Sequence, residues 1–313
     1  MTIILHIGVH KTGTSALQAF LARNASLLLE HGVFYKPTIP DWPNHNPLVA
    51  AFMPGSIDHG PSRLATMLAE AAGKTLLISS EMLCQPEVDL DQFLSGLKGH
   101  DVRVIAYLRH PGDIVISAFN EVVRHYDTHW TRPLNEQPFA YDPSQLDVLK
   151  RWLKIPQLVL APYDRAQWVE GSLFRDFLTM IGVPGDGFDY SQVGGNESLP
   201  YTLIEALRHV NVARPSADQH RLLVELFRTM QSEPGEYPLT AKNVRYCVDR
   251  MRRALPFYRP HFRPGFQEDF LFEQRHEPKG GWFSLQKSAI ARATGFLAKA
   301  AAFLLPTLDA GLL

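Results

Sequence analysis

The sequence predicts an α/β protein, a central parallel sheet flanked by helices, with helical additions toward the C-terminus. Three observations carry this. Short β-rich apolar runs alternate with amphipathic helical stretches up to about residue 190, the pattern of strands covered on both faces. The first run feeds a glycine loop that opens a helix. Past about residue 190 the strand signal stops and helical periodicity continues alone.

In order, "TIILHIG" is a buried first strand. "TGTSALQAFLARNASLLLEHG" is a helix with Ala16, Leu17, Phe20, Leu21 and Leu28 on one apolar face, ended by Gly32. A polar, proline-rich stretch, "YKPTIPDWPNHNP", follows, and then a helix over 61–73. "KTLLISSEML", "DVRVIAYLRHP" and "PQLVLAPYD" are the second, third and fourth strands. Helices are expected over 199–211, 215–230 and 240–254, before a Pro/aromatic segment, "LPFYRPHFRPGFQEDF". The expected organisation is one domain over 1–283 and an amphipathic helical tail over 284–313.

Composition narrows the function classes. With 313 residues, 45% hydrophobic and 20% charged, the chain is an ordinary globular one. A formal net charge of −1 argues against a broad nucleic-acid footprint, so an anion site must be local. Cys84 and Cys247 lack metal-ligand spacing and read as reduced, buried thiols. No apolar run reaches the roughly 18–20 residues that span a bilayer, and a cytoplasmic location is expected. The tail "KSAIARATGFLAKAAAFLL" sets Ile290, Ala293, Leu297, Ala300, Ala301 and Leu304 opposite Arg292 and Lys299. It is read as a packed helix, a subunit contact or a peripheral attachment to the inner membrane surface.

Two constellations carry chemistry. "GVHKTGTS", residues 8–15, has the G-x-x-x-x-G spacing of a phosphate-binding loop after a strand and before a helix. Free N–H groups and the helix dipole converge there on an anion. Thr14 stands where a kinase loop has its lysine, and the loop's lysine is Lys11. Thr12, Thr14 and Ser15 add hydroxyl donors, and Gly13 allows close approach. The second constellation is "VIAYLRHPGDIVISAFNEVVR". Arg109 sits at a strand's C-terminal tip, where parallel sheets bind ligands. Pro111 begins a helix on which Ser117, Glu121 and Arg124 share a polar stripe. An Arg at the strand tip and a Ser along the next helix suit a second phosphate.

Together the segments resemble the PAPS-dependent sulfotransferases, with a flavour of the bacterial carbohydrate-modifying members. The resemblance covers about residues 2–35, 75–125 and 155–211, including "KTGTS", "LLISSE" and "LVLAPYDRAQWVEGSLFRDFLTMIGVP". It implies a P-loop NTPase-like sulfotransferase fold and transfer of a sulfuryl group from PAPS to a saccharide or glycolipid hydroxyl, with no metal required. Lys11, Thr12, Gly13, Thr14 and Ser15 would hold the 5′-phosphosulfate, with Lys11 at the bridging oxygen of the leaving group. Arg109 and Ser117 would hold the 3′-phosphate. The acceptor needs a general base. Glu81, ending the strand "TLLISSE", is the first candidate, and His45, in "DWPNHNP", is the rival. His45 and Arg124 are read as acceptor-binding residues, and Trp42, Tyr126 and Trp130 as aromatics that suit a sugar face. Glu30 and His31, at a helix end, are assigned local electrostatics.

Two other readings stand beside this one. An ATP-dependent small-molecule kinase would need Mg²⁺ and prefers a lysine at position 14. A non-catalytic nucleotide-binding scaffold would bind without turnover.

Overall fold

A computed structural model describes residues 1–39, 42–136, 142–191, 198–230, 237 and 239–273; the 284–313 tail lies outside them. The chain divides into two compact units. The first comprises Met1–His110, Ser144–Asn196 and Arg250–Phe272, and the second draws on Pro111–Pro143 and Glu197–Asp249.

The first unit is built on five strands, β1 (Thr2–Ile7), β2 (Val33–Phe34), β3 (Thr75–Ser80), β4 (Asp101–Leu108) and β5 (Leu158–Pro162). Their order is β2-β3-β1-β4-β5, and every pairing is parallel. The helices are α1 (Thr14–Arg23), α2 (Ala25–Glu30), α3 (Asn46–Ala50), α4 (Gly60–Glu70) and α5 (Leu90–Ser95), then, with α6 in the second unit, α7 (Leu146–Leu149) and α8 (Leu173–Met180). Strand residues alternate between the two faces. Ile3, Leu5, Ile7, Leu76, Ile78, Val104, Ala106, Leu158 and Leu160 pack with residues of α3, α4, α5 and α7. Ile4, Leu77, Ile105, Tyr107 and Ala161 pack with residues of α1, α2 and α8. Both faces are thus covered, which an all-parallel sheet requires.

Two polar groups tie the second face together. His6 Nδ1 shares a 2.8 Å hydrogen bond with Ser79 Oγ, which also accepts from Gln18 Nε2 at 3.2 Å, pinning α1 over the sheet. Buried Asp176 accepts from Tyr107 Oη at 3.0 Å and from Arg263 Nη1 at 2.6 Å. Removing one partner of such a buried pair costs about 3–5 kcal/mol.

The second unit contains α6 (Pro111–Arg124), α9 (Tyr201–Val210), α10 (Ala217–Thr229) and the first part of α11 (Ala241–Tyr258). Val115, Ile116, Phe119 and Val123 of α6 pack with Leu203, Ile204 and Leu207 of α9 and with Leu223 and Phe227 of α10. Asn120, fully buried, donates from Nδ2 to Leu199 O at 2.9 Å and accepts from Leu199 N at 3.1 Å.

Three details differ from expectation. The helix predicted across residues 12–32 breaks at Asn24, whose side chain donates to Phe20 O and Asp189 O and accepts from Asp189 N. A two-residue strand, β2, adds an edge. Helix α11 continues through Pro256, because a proline in the last turn forfeits only one terminal bond. Cys84 and Cys247 are free and buried. Among the described residues no helix is long and apolar enough to cross a membrane.

Candidate functional site

The site lies at the switch point of the sheet. From β1 the chain turns to β2 on one side, and β4 and β5 lie on the other. The C-terminal ends of the neighbouring strands β1 and β4 therefore flank the crevice in which open α/β sheets bind ligands.

The β1 end is the glycine loop. Gly8 N donates to Ser80 O at 3.1 Å as the chain leaves the strand. A Cβ on Gly8 would stand 2.5 Å from Thr14 Cγ2 and 2.8 Å from Glu81 Cγ. Glycine is required here because the loop, the first residue of α1 and the β3 tip all meet at this Cα. Gly13 has φ 72° and caps α1, and a Cβ there would come 2.8 Å from Tyr163 Oη. Lys11 also adopts a left-handed φ of 64°. For a non-glycine residue this is strain of about 1–3 kcal/mol, which persists where surrounding contacts impose it.

The two loop threonines differ. Thr12 Oγ1 donates to Val9 O at 2.6 Å and closes the loop on itself. The expected hydroxyl donor is thus engaged within the loop, and its side chain is buried. Thr14 is 5% exposed, and its Oγ1 has no hydrogen-bond partner among the described residues. Helix α1 has neither a side-chain cap nor an acidic residue in its first turn, so its dipole is left uncompensated. Ser15 is exposed.

The β4 end is Arg109. Its Nη1 donates to Lys11 O, and its guanidinium lies 5.1 Å above the Tyr163 ring centroid. Its Nε is buried with no hydrogen-bond partner among the described residues. Its peptide is held at both ends by Gln145: Arg109 N donates to Gln145 Oε1 at 3.3 Å, and Gln145 Nε2 donates to Arg109 O at 3.1 Å. Lys11, Gly13, Arg109 and Tyr163 are thereby brought together.

Glu81 follows β3 directly and is half-buried beside Gly8. Asn46 fixes its backbone: Asn46 Oδ1 accepts from Ser80 Oγ at 2.7 Å and from Glu81 N at 3.1 Å. Cys84 Sγ donates to Gly8 O at 3.5 Å, and burial together with Glu81 pushes its thiol well up from the usual range.

His45 is a correction. The expected loop histidine, open to an arriving substrate, is fully buried. Its Nδ1 accepts from Ser79 N at 3.2 Å, its own amide donates to Ser79 O at 2.9 Å, and its ring stands edge-on to Tyr35. Burial pushes the imidazole down to about 4, so it is neutral near pH 7. His6 is likewise lowered by burial, to about 3.

Ser117 and Arg124 belong to the second unit. Ser117 is 8% exposed on α6. Arg124 Nε donates to Asn120 O at 3.2 Å, and burial, with Arg228 nearby, lowers its pKa. Of the aromatics, Trp42 is exposed in the first unit. Tyr126 and Trp130 lie in the second, Tyr126 edge-on to His129 and Trp130 donating from Nε1 to Arg132 O.

Tyr163, Gln145 and Asn46 were missed in the sequence. Tyr163 had a signal, since it follows β5 on the same sheet edge as Arg109. Gln145 and Asn46 had none.

No family model, curated protein or solved structure matches the chain.

Proposed function

We propose that the chain is a PAPS-dependent sulfotransferase with a P-loop-like sulfotransferase fold, acting on a saccharide or glycolipid hydroxyl. One observation carries the reading. Two polar atoms at the switch point, Thr14 Oγ1 at the end of the glycine loop that carries Lys11 and Arg109 Nε beside it, are buried with no hydrogen-bond partner among the described residues. Buried polar atoms left unpaired in the free protein call for an explanation, and a ligand that supplies acceptors is one. Donors from the α1 N-terminus, Thr14, Lys11 and Arg109 together suit a doubly anionic nucleotide.

In this reading Lys11 donates to the bridging oxygen as charge develops on the departing phosphate. The acceptor oxygen forms its bond to sulfur as the bond from sulfur to that bridging oxygen breaks. 3′,5′-Adenosine bisphosphate leaves, and the acceptor's proton passes to Glu81. Glu81 is preferred to His45 because its side chain packs against Gly8 of the loop, whereas His45 is enclosed and weakly basic. Arg109 reads the second phosphate. Localisation in the cytoplasm, with the tail as a peripheral or subunit contact, belongs to the same proposal.

Incubation of ³⁵S-labelled PAPS with a panel of glycans and glycolipids tests it. Label should pass to an acceptor in the presence of a metal chelator. Transfer of the γ-phosphate of ATP with Mg²⁺, and none from PAPS, would establish the kinase reading instead.

A further inference from the structure

Gln145 stands where its chemistry is used twice. It is 3% exposed, and its backbone is left-handed at φ 60°, ψ 6°, at the residue before α7. Left-handed backbone at a non-glycine residue persists only where the surroundings impose it. Here the side-chain amide makes both hydrogen bonds to the Arg109 peptide, one given and one taken, across 36 residues of sequence. The segment is anchored from behind as well: Tyr258 Oη donates to Ser144 O at 2.5 Å, and Leu149 N donates to Gln145 O at 3.1 Å.

Arg109 is the first residue beyond β4, and its amide has left the ladder in which strand amides find partners. Without Gln145 the peptide could rotate and carry the side chain with it. With it, the Cα–Cβ vector is fixed, and Tyr163 then fixes the guanidinium from its face. The Tyr163 amide donates to Leu108 O at 2.6 Å, so that ring is tied to the same strand end.

We propose that Gln145 is a positioning residue of the anion site: its amide clamps the Arg109 peptide so that the guanidinium is held over Tyr163 and against Lys11 O before any ligand arrives. Pre-organisation of this kind spares the ligand the cost of ordering a long side chain. The proposal rests on the nucleotide reading only for the identity of the ligand.

The test uses the full chain with ¹⁵N-labelled arginine. Gln145→Gly removes the clamp while accepting the left-handed backbone, so the variant should fold. Gln145→Glu keeps the volume and the acceptor but loses the donor, and serves as the second variant. The first readout is the Arg109 Nε–H resonance, assigned by its loss in Arg109→Lys. Buried Nε should give a resolved, slowly exchanging signal in the unsubstituted protein. It should broaden or exchange rapidly in Gln145→Gly and take an intermediate form in Gln145→Glu. The second readout is calorimetry. 3′,5′-Adenosine bisphosphate should weaken about 10-fold in Gln145→Gly, with 5′-AMP changed less than about 2-fold, and Gln145→Gly should add nothing in an Arg109→Ala background. An unchanged Arg109 resonance in both variants, or equal losses for the two nucleotides, overturns the proposal. If the protein binds no 3′,5′-adenosine bisphosphate while the resonance still responds to Gln145, the nucleotide reading fails and the positioning role stands.

Discussion

The two halves of the sheet edge are finished differently. Beyond β1 and β4, Thr14 Oγ1 and Arg109 Nε are buried with no partner among the described residues. At the tip of β3, one side-chain oxygen of Asn46 takes both the Ser80 hydroxyl and the Glu81 amide, and Ser80 Oγ in turn accepts from Met82 N at 3.1 Å. Closing a backbone's hydrogen bonds holds a side chain in place, whereas leaving buried donors open costs stability until something fills them. In the proposed reading the first half receives a ligand, and the second fixes the backbone that carries Glu81.

If that division is right, substitutions should separate by half. The largest effect is expected at β3. Glu81→Gln should leave the fold and nucleotide affinity intact but lower turnover by about 10²–10⁴, the usual worth of a general base. Steady-state kinetics beside nucleotide calorimetry checks this, and a matched loss of affinity would move Glu81 into the binding half. Next is Arg109→Ala. Loss of a charge-assisted contact worth about 1.5–3 kcal/mol should weaken 3′,5′-adenosine bisphosphate roughly 10- to 150-fold. It should leave 5′-AMP nearly unchanged.

The loop threonines make a finer comparison. Thr14→Val should weaken the bisphosphate by about 0.5–1.5 kcal/mol without lowering the denaturation midpoint, because the hydroxyl has no partner to lose in the free protein. Thr12→Val should do the reverse, losing about as much stability through the Val9 carbonyl. Equal stability losses in the two variants would contradict the assignment of one hydroxyl to the loop and the other to the ligand.

The smallest effect concerns pH. His45 and His6 are held by burial at about 4 and about 3, against an ordinary 6.5. Their folded values lie below the unfolded one, so the unfolded chain takes up protons first as the pH falls. Stability should be full above pH 6.5 and decline from there toward pH 4, flattening only below the folded values. His45→Gln should make the decline shallower in urea melts at stepped pH. An unchanged slope would mean that His45 is not neutral in the folded protein.

Much of this architecture was legible in the sequence, and for local reasons. β1, β3, β4 and β5 are apolar runs bounded by turn residues, and the loop's glycine spacing and the position of Arg109 after β4 are read directly from neighbours. What escaped depends on partners far along the chain. The break at Asn24 follows from bonds to Asp189, 165 residues away. The burial of His45 follows from its pairing with Ser79, and the clamp on Arg109 from Gln145. A polar residue in a polar stretch gives no sign that another strand will enclose it. β2, with two residues, is too short to show alternation. On α6 the sequence showed a polar stripe of Ser117, Glu121 and Arg124, but not that Val115, Ile116, Phe119 and Val123 would form the helical core. The sequence of α6 alone did not reveal that α9 and α10 would cover this face.

Titration calorimetry with 3′,5′-adenosine bisphosphate in chelator, set against ATP with Mg²⁺, tests the central claim most directly. One equivalent of the bisphosphate should bind without metal, and binding should fall in both Thr14→Val and Arg109→Ala. Binding of ATP with Mg²⁺ but not of the bisphosphate would contradict it.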